Sequence, residues 1–153
     1  PEVIAVRASL TEGAQLIVYG LRDGALRPVA ATPYIGRAFR WLAPAAIADL
    51  NGDGAVDIAY VETPHLGKTL RVWSWADGGL REVARYAGVT NHRIGDAVIW
   101  GGLRRCGPVP EIILADADWS EILAVRFAGG GIVAESLGPL RAPADLDASL
   151  VCE

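Results

Sequence analysis

Three segments of this chain share one pattern, which is an apolar run, a two-residue turn and a second apolar run. They are LIVYGLRDGAL from Leu16, LRVWSWADGGL from Leu70 and ILAVRFAGGGI from Ile122. Asp-Gly and Gly-Gly pairs between apolar runs are a strong signal of a β-hairpin, because these residues tolerate the backbone conformations that tight turns need. Their recurrence at intervals of roughly fifty residues indicates a repeat architecture.

An acidic residue and an apolar run precede each hairpin. These runs are VIAV after Glu2, IAYV after Asp57 and IILA after Glu111. The second and third units have a further apolar run upstream, LAPAAIA from Leu42 and IGDAVIW from Ile94. Four strands in roughly fifty residues is the size of a propeller blade. The pattern therefore predicts an all-β chain, a β-propeller-like array of about three four-stranded antiparallel blades.

The length of 153 residues suits one domain. We expect a single propeller-type domain over 1–153, with repeat units at approximately 1–40, 41–92 and 93–138 and a C-terminal tail at 139–153. The 18 Gly and 9 Pro residues are spread between short apolar runs, which favours many tight turns and opposes long helices.

The net charge and the length of the apolar runs argue against two classes of protein, which are nucleic-acid binders and membrane-spanning proteins. The net charge is −4 at pH 7, which argues against nucleic acid, because binding phosphates requires a basic face. No apolar run approaches the length that crosses a bilayer, so we expect no membrane-spanning segment.

The stretch DLNGDGAVD, from Asp49 to Asp57, lies between two apolar runs. It places three carboxylates and the Asn51 amide oxygen in one short loop, where two glycines free the backbone to curl. Hard oxygen ligands of this kind suit Ca²⁺, and three carboxylates this close repel one another unless a cation lies between them. An EF-hand does not fit, because its twelfth position needs a bidentate Glu and here holds Tyr60. The alternative is an ordinary Asn-Gly and Asp-Gly turn with solvated acids.

The run IADLNGDGAVDIAYVE, from Ile47 to Glu62, resembles the FG-GAP or VCBS repeat family, whose calcium-binding blades occur in integrin α-subunit propellers and in many exported bacterial proteins. NHRIG from Asn91 and ADADW from Ala115 resemble small VCBS repeat-containing proteins of proteobacteria. The resemblance implies one Ca²⁺ site. Its ligands would be the side-chain oxygens of Asp49, Asn51, Asp53 and Asp57 and the backbone carbonyl of Ala55.

The other two units lack an intact loop of this kind. In the third unit the loop position, Gly101 to Glu111, has one carboxylate and two arginines, so we predict no ion there. The first unit begins after the place of its loop, and three blades are fewer than closed propellers normally use. Three alternatives follow: an N-terminal portion precedes this chain as part of a longer propeller, another subunit completes the set of blades, or the set stays open. The resemblance also implies a periplasmic or secreted bacterial protein, whose signal peptide would lie outside this chain.

The two cysteines, Cys106 and Cys152, would pair in an exported protein and stay reduced in a cytosolic one. A disulfide would tie the C-terminal tail to the loop of the third unit, and we predict this bond. The alternative is two unpaired thiols.

Signatures of catalysis are weak. His65 and His92 belong to no HExxH motif, so we expect loop residues that pack or form hydrogen bonds. Asp116 and Asp118 could act as a general acid and base, as in a glycosidase. Solvated acids at a strand end are the commoner outcome for such a pair.

The five tryptophans divide into two groups. Trp75, before a turn, and Trp119, in a loop, are candidates for an exposed surface that binds a partner. Trp41, Trp73 and Trp100 are expected to pack in the core.

Together these features predict an exported, calcium-binding, non-enzymatic β-propeller module that acts as a binding or scaffold subunit, within an envelope assembly. Its partner would be a protein or a polysaccharide. The alternative function is a lyase or hydrolase that acts on polysaccharide.

Overall fold

The computed structural model describes residues 2–152, which form twelve strands and one short helix. The strands are β1 (Glu2–Ser9), β2 (Gly13–Arg22), β3 (Ala25–Ala31), β4 (Leu42–Ala48), β5 (Val56–Glu62), β6 (Thr69–Ala76), β7 (Gly79–Ala87), β8 (Val89–Thr90), β9 (Gly102–Arg104), β10 (Glu111–Asp116), β11 (Glu121–Ala128) and β12 (Gly131–Pro139). The helix is α1 (Ala144–Ala148).

The strands form three antiparallel sheets, so the prediction of an all-β chain is confirmed. The first sheet has the order β1-β2-β3 and the second the order β4-β5-β6-β7. The third has the order β12-β11-β10-β8, and β9 also pairs with β10. The sheets follow one another along the chain.

The three predicted hairpins are present as β2–β3, β6–β7 and β11–β12. All of their turn residues have a positive φ, between 49° and 84°. This left-handed conformation matches the twist of the flanking strands in a tight hairpin. The residues are Asp23, Gly24, Asp77, Gly78, Gly129 and Gly130.

The prediction of four strands in every unit is wrong for the first and third sheets, which have three and five strands. In the third sheet the run from Ile94 does not form a strand. The edge of β10 pairs instead with β8 and with β9, and residues 91–101 leave the sheet between them. A hydrogen bond of 2.9 Å from the Trp100 amide to the Asn91 carbonyl closes this excursion. Gly101, with φ of 72°, returns the chain to the sheet.

Two apolar cores lie between the three sheets, one at each sheet-to-sheet contact. Leu16 and Val18 of β2 pack with Ile58 and Tyr60 of β5 between the first and second sheets. Between the second and third sheets the buried residues are Ala46, Ala48, Ala59, Val61, Leu70, Val72, Val89, Ile112, Leu114 and Val125, with Leu50. The second sheet is therefore covered on both faces, which explains why β5 is apolar at nearly every position.

The tail that begins at residue 139 covers the outer face of the third sheet. Leu146 of α1 is fully buried against Ile113, Ala115 and Ala124. We did not predict this helix from the sequence, because five residues are too few to show helical periodicity. Within residues 2–152, no helix is long and apolar enough to span a membrane.

Candidate calcium loop and its surroundings

The acidic loop connects β4 to β5, two neighbouring strands of the second sheet. The last residue pair before the loop is Ala48 with Asp57. The two strands are fixed by the cores on either side, so the loop has defined ends. Gly52 and Gly54, with φ of 81° and 85°, let the backbone curl between them.

Side-chain oxygens hold the loop together from inside. The Asp49 carboxylate accepts hydrogen bonds from the amides of Gly52, at 2.7 Å, and Gly54, at 3.0 Å. The Asn51 Oδ1 atom accepts from the Asp53 amide at 2.9 Å, and the Asp53 Oδ1 atom accepts from the Ala55 amide at 2.8 Å. The Ala55 and Asn51 hydrogen bonds lower the pKa of Asp53, so this side chain is a carboxylate at neutral pH. The loop thus concentrates negative charge.

Asp57 differs from the other acids of the loop because its side chain is fully buried. Its Oδ2 atom accepts a hydrogen bond of 3.0 Å from the Leu50 amide, but Oδ1 has no partner among residues 2–152. Burial raises the pKa of Asp57; Leu50 and Ser74 counter this only in part, and Asp53 and Asp49 add to it. A buried carboxylate oxygen without a partner is unfavourable unless a cation or donor reaches it.

These residues fit a calcium ion by chemistry. Among the described residues no group of three or more His, Cys, Asp or Glu side chains gathers as a metal site. The three aspartates of the family ligand set, Asp49, Asp53 and Asp57, are therefore not gathered around one point, and two of them instead accept hydrogen bonds from amides of the loop. Asp57 Oδ1 is the oxygen that still needs a positive partner. Asp49, Asn51, Asp53, Ala55 and Asp57 therefore remain the predicted ligands.

The corresponding connection of the third sheet, between β9 and β10, is closed by a covalent bond. The predicted disulfide between Cys106 and Cys152 is present, with the two Cα atoms 5.4 Å apart. Arg104 forms an ion pair of 2.8 Å with Glu111 beside it. Disulfides persist in oxidising compartments, so this bond indicates folding in such a compartment.

Asp116 and Asp118 lie at the turn between β10 and β11 but do not form a matched pair. The Asp116 carboxylate accepts hydrogen bonds from the Ser120 amide and hydroxyl, both at 2.6 Å, and from the Glu121 amide at 3.0 Å. Burial opposes these hydrogen bonds, but they prevail and lower the pKa of Asp116. Asp118 is exposed. These hydrogen bonds indicate that Asp116 stabilises the turn. A general acid needs a raised pKa, and the pKa of Asp116 is lowered.

Trp75 and Trp119 do not share one surface. Lys68, in the connection between β5 and β6, donates a hydrogen bond to the Ala117 carbonyl, so that connection and the β10–β11 turn lie at the same end of the sheets. Trp119 is at this end, half-buried, with the Arg93 guanidinium carbon 4.3 Å from its ring centroid. Trp75 lies at the far end of β6, half-buried against the first core.

Of the three tryptophans predicted to pack in the core, only Trp73 is buried. Trp73 is buried and donates a hydrogen bond of 3.1 Å to the Tyr60 hydroxyl. Trp41 and Trp100 are half-buried against the first core and the outer face of the third sheet.

The two histidines meet, which the sequence did not predict. A hydrogen bond of 2.9 Å joins His65 Nε2 to His92 Nδ1. The prediction that they are hydrogen-bonding loop residues is confirmed, but their mutual contact depends on two connections far apart in the chain. The only signal in the sequence was that both lie in loops and no other histidine exists.

No family model matches this chain, and no curated protein matches it.

Proposed function

We propose that this chain is a calcium-stabilised, non-enzymatic module of the β-propeller type, which serves as a binding or scaffold subunit in the bacterial periplasm or outside the cell. The observation that carries the proposal is the buried Asp57 Oδ1 atom, which has no partner among residues 2–152 and belongs to a loop rich in oxygen ligands.

The arrangement of the sheets supports the propeller part of the proposal. Three antiparallel sheets follow one another along the chain, and each packs against the next through a shared apolar core. Each sheet ends in a hairpin at the same place in its unit. Blades of a propeller have this order and this face-to-face packing.

The chemistry of the calcium loop supports a structural role for the ion. Asp57 lies at the start of β5, between the two cores, so a cation there would fix the loop to the centre of the molecule. Calcium would supply the positive charge that the carboxylates lack. The disulfide supports the location, since extracellular and periplasmic proteins retain such bonds.

Calorimetry tests the proposal directly. Titration of the metal-depleted chain with CaCl₂ is expected to show one site, and the melting temperature is expected to rise in CaCl₂ relative to EGTA. Mg²⁺ is the matched control, because it demands a tighter octahedral geometry and gives up its waters reluctantly. Absence of both the heat and the shift would overturn the calcium part of the proposal.

A further inference from the structure

An open cleft lies where three connections meet at one end of the sheets. Its volume is about 250 Å³, and its apolar lining includes Phe39, Leu66 and Ile94. These side chains come from the β3–β4, β5–β6 and β8–β9 connections and are 87%, 64% and 83% exposed. Exposed apolar side chains that gather around a concavity mark a binding site more often than scattered ones do. Phe39 also has a φ of 57°, a strained conformation for an aromatic residue.

The hydrogen bonds of the histidine pair determine which ring nitrogens carry a proton in the neutral pair. The Asp96 carbonyl can only accept, so His92 Nε2 carries the proton in their contact of 3.1 Å. In the neutral pair His92 Nδ1 is then the acceptor, and His65 Nε2 donates to it. This leaves His65 Nδ1 unprotonated and without a partner among residues 2–152. His65 lines the cleft.

Surrounding groups keep this acceptor in place. The Trp41 ring lies with its centroid 4.8 Å from that of His92 and 5.6 Å from that of His65, which fixes both imidazoles. Burial lowers the pKa of His65, and the nearby His92 and Lys68 lower it further. His65 is therefore neutral at pH 7, and its free nitrogen accepts a hydrogen bond.

Arg40 adds a positive charge to the same cleft. Its side chain lines the cleft and has neither a hydrogen bond nor an ion pair within the described part of the chain. A cationic group beside an apolar cleft favours an anionic neighbour in a partner.

We propose that this cleft binds a single aromatic side chain of a partner polypeptide, one that carries an N–H or O–H donor and lies beside a carboxylate. Tryptophan and tyrosine have this chemistry. The cleft is below the usual size of pockets for drug-sized ligands, roughly 300–1,000 Å³, and suits one anchoring residue. Such anchors dominate many protein interfaces. This inference rests on the proposed binding role of the chain, but not on calcium.

The main test is an NMR titration of the ¹⁵N-labelled chain with N-acetyltryptophanamide and with its 1-methylindole analogue, which lacks the donor. We expect shift changes at Phe39, Leu66 and Ile94, and binding of the analogue that is about threefold to tenfold weaker, since one hydrogen bond is lost. Equal binding of the two probes, or shift changes elsewhere only, would overturn the proposal. So would the absence of any change up to the solubility limit of the probe.

Point variants separate the contribution of the His65 hydrogen bond from that of the apolar Phe39 side chain. His65→Phe should abolish the preference for the unmethylated probe, and Phe39→Ala should weaken both probes. Leu26→Ala is the matched control, because Leu26 is 55% exposed and lies in the β2–β3 hairpin, away from the cleft. If Leu26→Ala weakens binding as much as Phe39→Ala does, the site is wrong.

A second pair of probes tests whether the positive charge of Arg40 attracts a carboxylate on the ligand. N-acetyltryptophan, which has a carboxylate, should bind more tightly than its amide, and Arg40→Gln should remove this difference. Acidification that protonates His65 should remove the preference for the unmethylated probe. The other charged or titratable residues around His65 are His92, Lys68 and Arg40. Calcium titration of the same sample keeps the two proposals apart, because a calcium response without probe binding would refute only this one.

Discussion

The β4–β5 connection and the β9–β10 connection leave their sheets at equivalent places. The last residue pair is Ala48 with Asp57 in one and Arg104 with Glu111 in the other. In each, an acidic residue lies in the first two positions of the strand that follows the connection. The contacts of this acid differ between the two connections. Glu111 forms an ion pair of 2.8 Å with Arg104. Asp57 Oδ1 has no hydrogen-bond partner among residues 2–152.

The two connections differ in whether the chain itself supplies a cation and a covalent bond. The β9–β10 connection contains its own cation, a guanidinium, and its own fastening, the Cys106–Cys152 disulfide. The β4–β5 connection contains no cationic side chain. Its donors are backbone amides, which include the Leu50 amide at Asp57, and the Asn51 side-chain amide. The proposed calcium ion would replace at Asp57 what Arg104 supplies at Glu111.

Removal of the disulfide is expected to have the largest effect. In the Cys106→Ser/Cys152→Ser variant the free energy of unfolding should fall by up to about 4 kcal/mol, because the closed loop no longer restricts the unfolded chain. Urea denaturation of the variant and the oxidised parent measures the change. The calcium response of the variant should stay intact, because the two connections are in different sheets. A decrease below about 1 kcal/mol would contradict a stabilising role for the bond.

Removal of the guanidinium tests the second contact of the β9–β10 connection. Arg104→Met should lower the free energy of unfolding by about 1–2 kcal/mol, because the Glu111 side chain, which is only 16% exposed, loses its ionic partner. The matched variant is Arg104→Met/Glu111→Gln, which removes the stranded charge and should recover most of the loss. If the two substitutions instead add independently in urea denaturation, the ion pair does not stabilise the connection.

Substitution at the other connection should affect stability only through the ion. At about 1 mM CaCl₂, a site with a Kd of roughly 10⁻⁴–10⁻³ M stabilises the fold by about 0.4–1.4 kcal/mol. The Asp57→Asn variant should lose this calcium-dependent increment. In calcium-depleted buffer the variant should be no less stable than the parent, because a buried charge has been removed. Asp118→Asn is the control, because that acid is exposed and lies in a different sheet. Equal calcium responses in the parent and in Asp57→Asn would exclude Asp57 as a ligand.

The sequence predicted those parts of the fold that depend on neighbouring residues. The hairpins were predictable because Asp23-Gly24 and Asp77-Gly78 need no distant partner to turn the chain. The acidic loop was predictable for the same reason, since all of its acceptors lie within a few residues of one another. Its hydrogen bonds, from Gly52, Gly54 and Ala55, are local as well.

The elements that the sequence missed depend on distant contacts. The apolar run from Ile94 was wrongly predicted as a strand, because the edge of β10 was already taken by residues on either side of it. The helix α1 forms where Leu146 meets the third sheet, a contact that five residues of sequence do not reveal. The histidine pair likewise joins two connections that only the folded sheets bring together.

The smallest expected effect is the pH dependence at Asp57, where the stability without calcium and the calcium-dependent increment should change with opposite signs. The folded-state pKa of Asp57 is raised by burial, so without calcium the folded chain binds more protons than the unfolded chain in the interval between the ordinary value of 3.8 and the raised pKa. Stability contributed by this residue should therefore fall as pH rises through that interval. Calcium binds the ionised carboxylate, so the calcium-dependent increment should rise with pH over the same interval. Urea denaturation from roughly pH 4 to 7, in calcium-depleted buffer and in CaCl₂, measures both slopes, with Asp57→Asn as the reference that has neither. Equal slopes in the two buffers would show that Asp57 and the ion are not coupled. The loop would then be held by its own amides, as the β9–β10 connection is held by its own arginine and disulfide.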